Sequence, residues 1–326
     1  MAIKVLVTGA GGFIGSHLTE QLVVDGYDVR AFVHYNAAGN WHNLEKIHQD
    51  ILNNIEIMAG DITDPYFVDN AVAGCDIVFH LAALIGIPYS YIAPKAYMST
   101  NIGGTLNILQ SCRRHNVPRL VHTSTSEVYG SAQYVPIDEK HPLVGQSPYS
   151  ASKIGADKLV ESYWCSFDLP ACIIRPFNTY GPRQSARALI PTIISQALSG
   201  NVVHLGNLDP IRDLTFVKDT AQGFIAGANS DNCLRSVCNL GVGQGISVRE
   251  LVERIGVLLD KDLKVESDPK RIRPAKSEVI RLISNNSKMK ELSEWQPNIN
   301  PDDGLQQTIN YIRENLNEYK IDRYNV

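Results

Sequence analysis

The chain has 326 residues, 44% hydrophobic and 20% charged, with a formal net charge of −4. That length can bury a large core in one domain or two. The interspersed, slightly acidic charge offers no basic field for nucleic acid or an anionic membrane surface, and no apolar run reaches the length of a membrane span.

In chain order, "IKVLVTG" reads as a buried strand and "GFIGSHLTEQLVVDG" as the helix after it. The opening strand is too short for a secretory leader and is punctuated at once by glycines, so a cytoplasmic protein is expected. "YDVRAFVHY", "IEIMAGD", "CDIVFHLAA", "RLVHTSTS" and "ACIIRPF" are further strands. "NIGGTLNILQSCRRHN" and "SPYSASKIGADKLVESYW" are helices between them. Strand–helix alternation of this kind predicts an α/β fold with a doubly wound parallel sheet, the Rossmann architecture. Residues 1–180 form the expected dinucleotide-binding domain, with a return strand near 213–243. Residues 181–326 form mainly a smaller, interleaved substrate lobe, in which "ALIPTIISQALSG" and "SVRELVERIGVLLD" are helices. A ligand then belongs in the cleft outside the carboxyl ends of the strands.

The six cysteines, Cys75, Cys112, Cys165, Cys172, Cys233 and Cys238, contain no C-x-x-C pair and no metal-ligand spacing. Reduced thiols are expected, and no metal.

Chemistry first shows in "VTGAGGFIG", where Gly9, Gly12 and Gly15 lie between the first strand and the first helix. Gly9 permits the tight turn, Gly12 lets a pyrophosphate approach the helix N-terminus, and Gly15 allows close strand–helix packing. The second strand ends in Val33, His34 and Tyr35, with no Asp or Glu for the adenosine ribose, and Arg30 lies inside the strand, not at its end. NAD is the expected cofactor, with NADP left open. Asp61 and Ile62 can flank the adenine; a turn capped by Asp61 is the competing reading. His80, at the end of "CDIVFH", reads as a hydrogen-bonded strand-end histidine with no catalytic task.

"SPYSASK" carries the second signal. Ser147 caps a helix, Pro148 suits its first position, and Tyr149 and Lys153 follow at i and i+4 on one face. An ammonium beside a phenol favours the phenolate and is expected to lower the tyrosine pKa. The result would be a base able to take a proton from a sugar hydroxyl. Upstream, "TSTSEVYG" crowds Thr123, Thr125, Ser126 and Glu127 at a strand end, poor material for a core.

Together, "TGxxGxxG", "NIGGTLNIL", "STSEVYG", "YxxxK" and "RPFNTYGPRQ" resemble the extended short-chain dehydrogenase/reductases, the NAD-dependent epimerase/dehydratase family acting on nucleotide-diphosphate sugars. The resemblance covers nearly the whole chain. It implies a triad in which Thr125 bonds the sugar 4-hydroxyl, Tyr149 takes its proton and Lys153 binds the nicotinamide ribose. It also implies that Asn101 is structural and that the protein is a homodimer. The cofactor-binding set it suggests is Gly9, Gly12, Phe13, Ile14, Gly15, His34, Asp61, Ile62, Leu81, Ala82, Ala83, Thr123, Tyr149 and Lys153.

Epimerisation at C4 needs no second base, and 4-epimerases of the family usually carry a small or hydroxylated residue where this chain has Glu127. A 4,6-dehydratase needs a carboxylate to remove the C5 proton once C4 is a ketone, and Glu127, beside Ser126, suits that task. Longer stretches resemble the NAD-dependent 4,6-dehydratases of nucleotide-linked N-acetylglucosamine in legionaminic-acid-type pathways, with a UDP- or GDP-sugar as substrate. UDP-glucuronate decarboxylases share Thr–Ser–Glu and remain the rival, with nucleotide-sugar 4-epimerases behind them. A cofactor-binding scaffold without turnover is the reading from another class. Tyr89, Ser90, Asn178, Arg187, Arg212 and Arg273 are the expected substrate contacts, Arg212 as an ion pair with Asp213 suited to a diphosphate. Arg271 is a further candidate beside Arg273.

Overall fold

A computed structural model describes residues 2–271 and 279–319. Its centre is a seven-stranded parallel sheet. The strands are β1 (Lys4–Thr8), β2 (Asp28–His34), β3 (Ile55–Gly60), β4 (Ile77–His80), β5 (Arg119–Thr123), β6 (Ala171–Pro176) and β7 (Val237–Leu240). Their spatial order is β3-β2-β1-β4-β5-β6-β7, so strand order reverses between β1 and β4. This is the doubly wound α/β architecture expected above.

The strands read as continuous apolar runs because both sheet faces are covered. In β1, Val5 and Val7 enter one core and Leu6 the other, all wholly buried. On the first face pack α1 (Phe13–Val24), through Leu18 and Leu22, and the later helix Val217–Asn229, through Phe224 and Ile225. On the second lie α2 (Pro65–Val72), α3 (Gly104–Arg114) and α4 (Pro148–Phe167), through Val68, Ile108 and Val160.

After β6 the chain builds a second core from α5 (Leu189–Ser199), α6 (Val248–Leu259) and α7 (Pro301–Glu314). It also re-enters the sheet: β7 pairs with β6 in the register Val237↔Ile173 to Leu240↔Pro176. The two cores are thus interleaved along the chain, and Phe13 and Ile14 of the glycine turn pack against the second one. Among the described residues no helix is long and apolar enough to cross a membrane.

Two local features bear on the site. "NIGGTLNILQSCRRHN" reads as one helix, but Met98–Gly103 is a π-helical turn and α3 begins at Gly104. Paired glycines weaken the helical ladder there. Asn101 at the turn's centre is held from outside, accepting the Leu84 amide at 2.8 Å and donating to the Leu84 carbonyl and the Ser152 hydroxyl. The stretch "IRDLTF" gives two short strands, Ile211–Arg212 and Leu214–Phe216. Between them the buried Asp213 accepts the amides of Val242, Gly243 and Ser284 at 2.8–3.0 Å.

The first turn is packed tightly. Gly9 has φ +70°, and a Cβ there would lie 2.9 Å from the Ala82 nitrogen. At Gly15 a Cβ would overlap the Gly9 carbonyl oxygen, a rigid backbone atom. Gly15→Ala should therefore destabilise the protein by about 2 kcal/mol or more by forcing α1 off β1. Thermal denaturation measures this, and an unchanged midpoint would contradict the packing described.

Candidate active site

The carboxyl ends of β1, β4 and β5 meet where strand order reverses, and the sequence-predicted residues converge there. Thr8, the last residue of β1, organises the first part. Its hydroxyl accepts the amides of Leu81 and Ala82, both at 3.1 Å, so its own hydrogen points to His80 Nδ1 at 2.9 Å. His80 Nε2 then donates to Thr105 (3.1 Å), whose hydroxyl donates to the Asn101 carbonyl. Burial holds His80 neutral, far below the ordinary histidine range. The histidine is spent on orienting the Thr8 hydroxyl, which in turn fixes Leu81 and Ala82 beside Gly9.

Helix α1 starts at Gly12 with no side-chain cap, so its first amides are not spent on one. On the far side of β2, Arg30 donates to the carbonyls of Ala71 and Ala73 at 2.7 and 3.0 Å and faces Glu56. That guanidinium is committed to the end of α2 and does not serve a 2′-phosphate. His34 and Asp61 stand exposed at the tips of β2 and β3, 4.0 Å apart. Asp61 also accepts the amide and hydroxyl of Thr63 at 2.8 Å, which holds its carboxyl below the ordinary range. Ile62 is buried against Gly104.

Helix α4 supplies the centre. Ser147 accepts the Ser150 amide at 3.1 Å while the Ser150 hydroxyl accepts the Ser147 amide at 3.0 Å, a reciprocal cap with Pro148 in the first turn. The helix buries Tyr149, Lys153 and Asp157 along one stripe. Lys153 donates to the Thr123 carbonyl at 2.6 Å, and burial lowers its pKa from the ordinary 10.5 to about 8. Thr125 begins a 3-10 turn, Ser126–Tyr129, and its hydroxyl oxygen accepts the Glu127 amide at 3.2 Å.

The expectation that Lys153 lowers the Tyr149 pKa needs correction. Burial dominates and pushes the phenol above its ordinary value; the Thr125 hydrogen bond opposes this, and the nearby Glu127 charge adds to it. The ammonium is aimed at the Thr123 carbonyl, not at the phenol oxygen. The same geometry brings Thr125, Glu127 and Tyr149 together, Glu127 half-buried and the other two buried.

The remaining expected contacts fare unequally. Asn178 follows β6, and its Oδ1, like the Thr123 hydroxyl, is buried without a hydrogen-bond partner among the described residues. Such orphaned polar atoms at a strand-end cleft fit a polar ligand such as a dinucleotide with its sugar substrate. Tyr89 is exposed 6.2 Å from the Tyr97 ring, which in turn packs edge-on to Tyr149. Arg187 is exposed and reaches over Gly86, near Tyr97. Ser90 is wholly buried and donates to the Ile87 carbonyl at 2.6 Å, so it faces the core and not a sugar. The Arg212–Asp213 pair is also not formed as expected: adjacent residues of an extended chain point to opposite faces, and Asp213 is taken by three amides. Arg273 lies outside the described residues, and Arg271 faces Asp268 at 3.0 Å. Among the described residues no group of three His, Cys, Asp or Glu side chains could hold a metal. A separate pocket of about 460 Å³ between α2 and α3, lined by Tyr66, Asp69, Leu106 and Arg114, shares none of these side chains.

Sequence reasoning missed what lies beneath. Asp157, one turn beyond Lys153, accepts Arg175 Nε and Nη2 at 3.2 and 2.9 Å and the Ser124 hydroxyl at 2.7 Å, all fully or nearly buried. The signal was present as a third residue at i+4 spacing and an arginine inside the apolar run "CIIRPF".

With this geometry described, comparison with known proteins is informative. A family model described as GDP-mannose 4,6 dehydratase matches residues 6–308. The UDP-glucose 4-epimerase of Mycolicibacterium smegmatis is 31% identical, over 95% of this chain and 99% of its own. The UDP-N-acetyl-alpha-D-glucosaminuronate decarboxylase of Bacillus cytotoxicus is 30% identical, over 98% of this chain and all of its own. Among solved structures, DesIV, a dTDP-glucose 4,6-dehydratase from Streptomyces venezuelae with NAD bound, superposes with a TM-score of 0.87 at 29% identity. That match covers 98% of this chain and 99% of the other.

Burying Lys153 has a measurable cost. Its proton is held less tightly folded than unfolded, so the penalty is complete below about pH 8 and fades as pH rises toward 10.5. Lys153→Met should raise the stability of the protein without added ligands by about 2 kcal/mol at pH 7, with a gain that shrinks between pH 8 and 10.5. Thermal melts across that range test it; a variant less stable than the parent at pH 7 would refute the burial argument.

Proposed function

The chain belongs to the GDP-mannose 4,6-dehydratase family, and on that premise we propose that it is an NAD-dependent 4,6-dehydratase of a nucleotide-diphosphate hexose, with UDP- or GDP-N-acetylglucosamine as the substrate. Its relatives include nucleotide-sugar dehydratases, decarboxylases and 4-epimerases at about this level of identity. The observation that carries the choice is the Glu127 carboxylate, inside the 3-10 turn that Thr125 begins, its amide on the Thr125 hydroxyl at 3.2 Å, and near the Tyr149 phenol.

In this reading Thr125 hydrogen-bonds the sugar 4-hydroxyl and Tyr149 takes its proton. Lys153 holds the nicotinamide ribose and, through its charge, eases ionisation of the phenol when the site is filled. NAD, when bound, supplies a hydride acceptor for C4 and the same hydride for C6, so the reaction is redox-neutral. Loss of that hydride makes C4 a ketone, and the ketone makes the C5 hydrogen acidic. Glu127 takes the C5 proton and delivers it to the departing C6 hydroxyl, with Ser126 beside it, so that water leaves; as C6 regains hydride, C5 takes up one proton, which balances the one that Tyr149 removed from the 4-hydroxyl and passes on. Gly12 and the first amides of α1 take the pyrophosphate of the cofactor, and Asn178 and Arg212 the substrate diphosphate.

A second reading has one observation in its favour. Arg187, exposed near Tyr97, whose ring packs edge-on to Tyr149, would suit a C6 carboxylate, as a UDP-glucuronate decarboxylase requires. Mass spectrometry on UDP-, GDP- and dTDP-sugars separates the readings. Loss of one water supports dehydration, loss of carbon dioxide supports decarboxylation, and unchanged mass with inverted C4 supports epimerisation. Glu127→Gln should cut water loss by about 10²–10⁴-fold and leave C4 oxidation, seen as reduced nicotinamide in a single turnover, largely intact. Undiminished dehydration by that variant would remove Glu127 from the mechanism.

A further inference from the structure

Lys153 is packed from several elements, and few of its neighbours can balance its charge. From β5 come the Thr123 carbonyl and His122, from β4 His80, and from α4 itself Asp157; Tyr149 lies one turn back on α4, Arg175 is reached through Asp157, and Glu127 through Tyr149. Both imidazoles are kept neutral by burial, His122 at a pKa of about 4. Neither ring nitrogen of His122 has a hydrogen-bond partner among the described residues, and Nε2 sits 3.4 Å from Asp157 Oδ1. Tyr149 is a neutral phenol while it keeps its proton, and Arg175 carries the same sign as Lys153. Asp157 is therefore the fully buried anion of the group, one helical turn from Lys153 on the same stripe.

The same carboxylate reaches the other two catalytic elements. Its Oδ2 accepts the Ser124 hydroxyl, adjacent to Thr125, at 2.7 Å. Arg175, held on Oδ2, donates through Nη1 to the Tyr129 hydroxyl at 3.0 Å. Tyr129 closes the 3-10 turn that carries Glu127, and donates onward to Asn239 Oδ1 at 2.6 Å. All three donors crowd Oδ2, leaving Oδ1 without a hydrogen-bond partner among the described residues, with His122 Nε2 3.4 Å away.

We propose that Asp157 is a positioning residue of the catalytic apparatus: its carboxylate keeps Lys153 charged from below and, through Ser124 and Arg175, sets the strand end and turn that present Thr125 and Glu127. This deepens the function proposed above and rests on its assignment of Lys153 to the nicotinamide ribose.

The sign is fixed. An anion favours the ammonium, so removing it releases the Lys153 proton at lower pH. In the wild type, NAD affinity measured by titration calorimetry on the full chain should fall as pH rises through about 8. In Asp157→Asn that limb should move down by about one pH unit or more, a loss of about fivefold or more in affinity at the wild-type midpoint that approaches about tenfold above it. The alkaline limb of C4 oxidation should move with it. Asp157→Glu should bring the limb back toward the wild type, and Ser124→Ala, which removes a hydrogen bond but no charge, should leave it in place. Because Asp157→Asn strands a buried guanidinium, the double variant Asp157→Asn with Arg175→Met removes that stranded charge and leaves Lys153 as the one group that loses its counter-charge; it should show the same direction of shift. Folded variants, checked by circular dichroism, that bind NAD with an unmoved limb would overturn the proposal, whatever their loss of stability. The binding limb needs no nucleotide sugar, so failure of the dehydratase reading would appear separately, as absent water loss with the shift intact.

Discussion

Seven parallel strands covered on both faces leave the sheet one place to meet a ligand, the rim where the carboxyl ends stop. Everything chemical in this protein follows from crowding that rim. Each strand there hands its last residues to a tight turn or a helix, and each handover exposes backbone amides, hydroxyls or a short polar run. Thr8, His80, Thr123 and Thr125 are strand-end residues or lie within two of one. What would be poor core material elsewhere becomes a set of fixed donors and acceptors.

The cost of this arrangement is electrostatic. A tyrosine, a lysine, an aspartate and an arginine are sunk together beneath the rim, and burial penalises the charged form of each. The protein answers by linking them: Asp157 to Arg175 and Ser124, Arg175 to Tyr129, Lys153 to a backbone carbonyl. The result is a stiff platform whose titrating groups sit nearer working pH than their free counterparts in the case of Lys153, and further from it in the case of Tyr149. The phenol therefore depends on what shares the cleft with it before it can act as a base.

Much of this was legible in the sequence, for identifiable reasons. The sheet could be read because its strands are apolar throughout, alternate with helices and are closed by glycine-marked turns. The glycine turn and the Tyr149–Lys153 spacing are local patterns, and local patterns survive in one dimension. Long-range commitments do not. Arg30 could be seen to lie inside β2, but not that α2 would end beside it with free carbonyls. Asp213 follows an arginine in the chain, yet an extended backbone sends the two side chains apart. Ser90 sits in a turn that looks polar and exposed, while the short helix Ile87–Ile92 rotates its hydroxyl inward. Asp157 was passed over because an acidic residue in a helix usually faces water; only the arrival of Arg175 from β6 makes its burial affordable.

The π-helical turn at Met98–Gly103 places a constraint on how this region of the chain could change length. A turn of that kind contains one residue more than a regular helix would need. Trimming it would rewind the segment and swing Asn101 by about 100° around the axis, breaking its simultaneous grip on the strand-end loop at Leu84 and on Ser152 of the catalytic helix. The surplus residue thus acts as a spacer between loop and helix, and deletions are expected to be better tolerated in the exposed segment before it, residues 91–95, than within it.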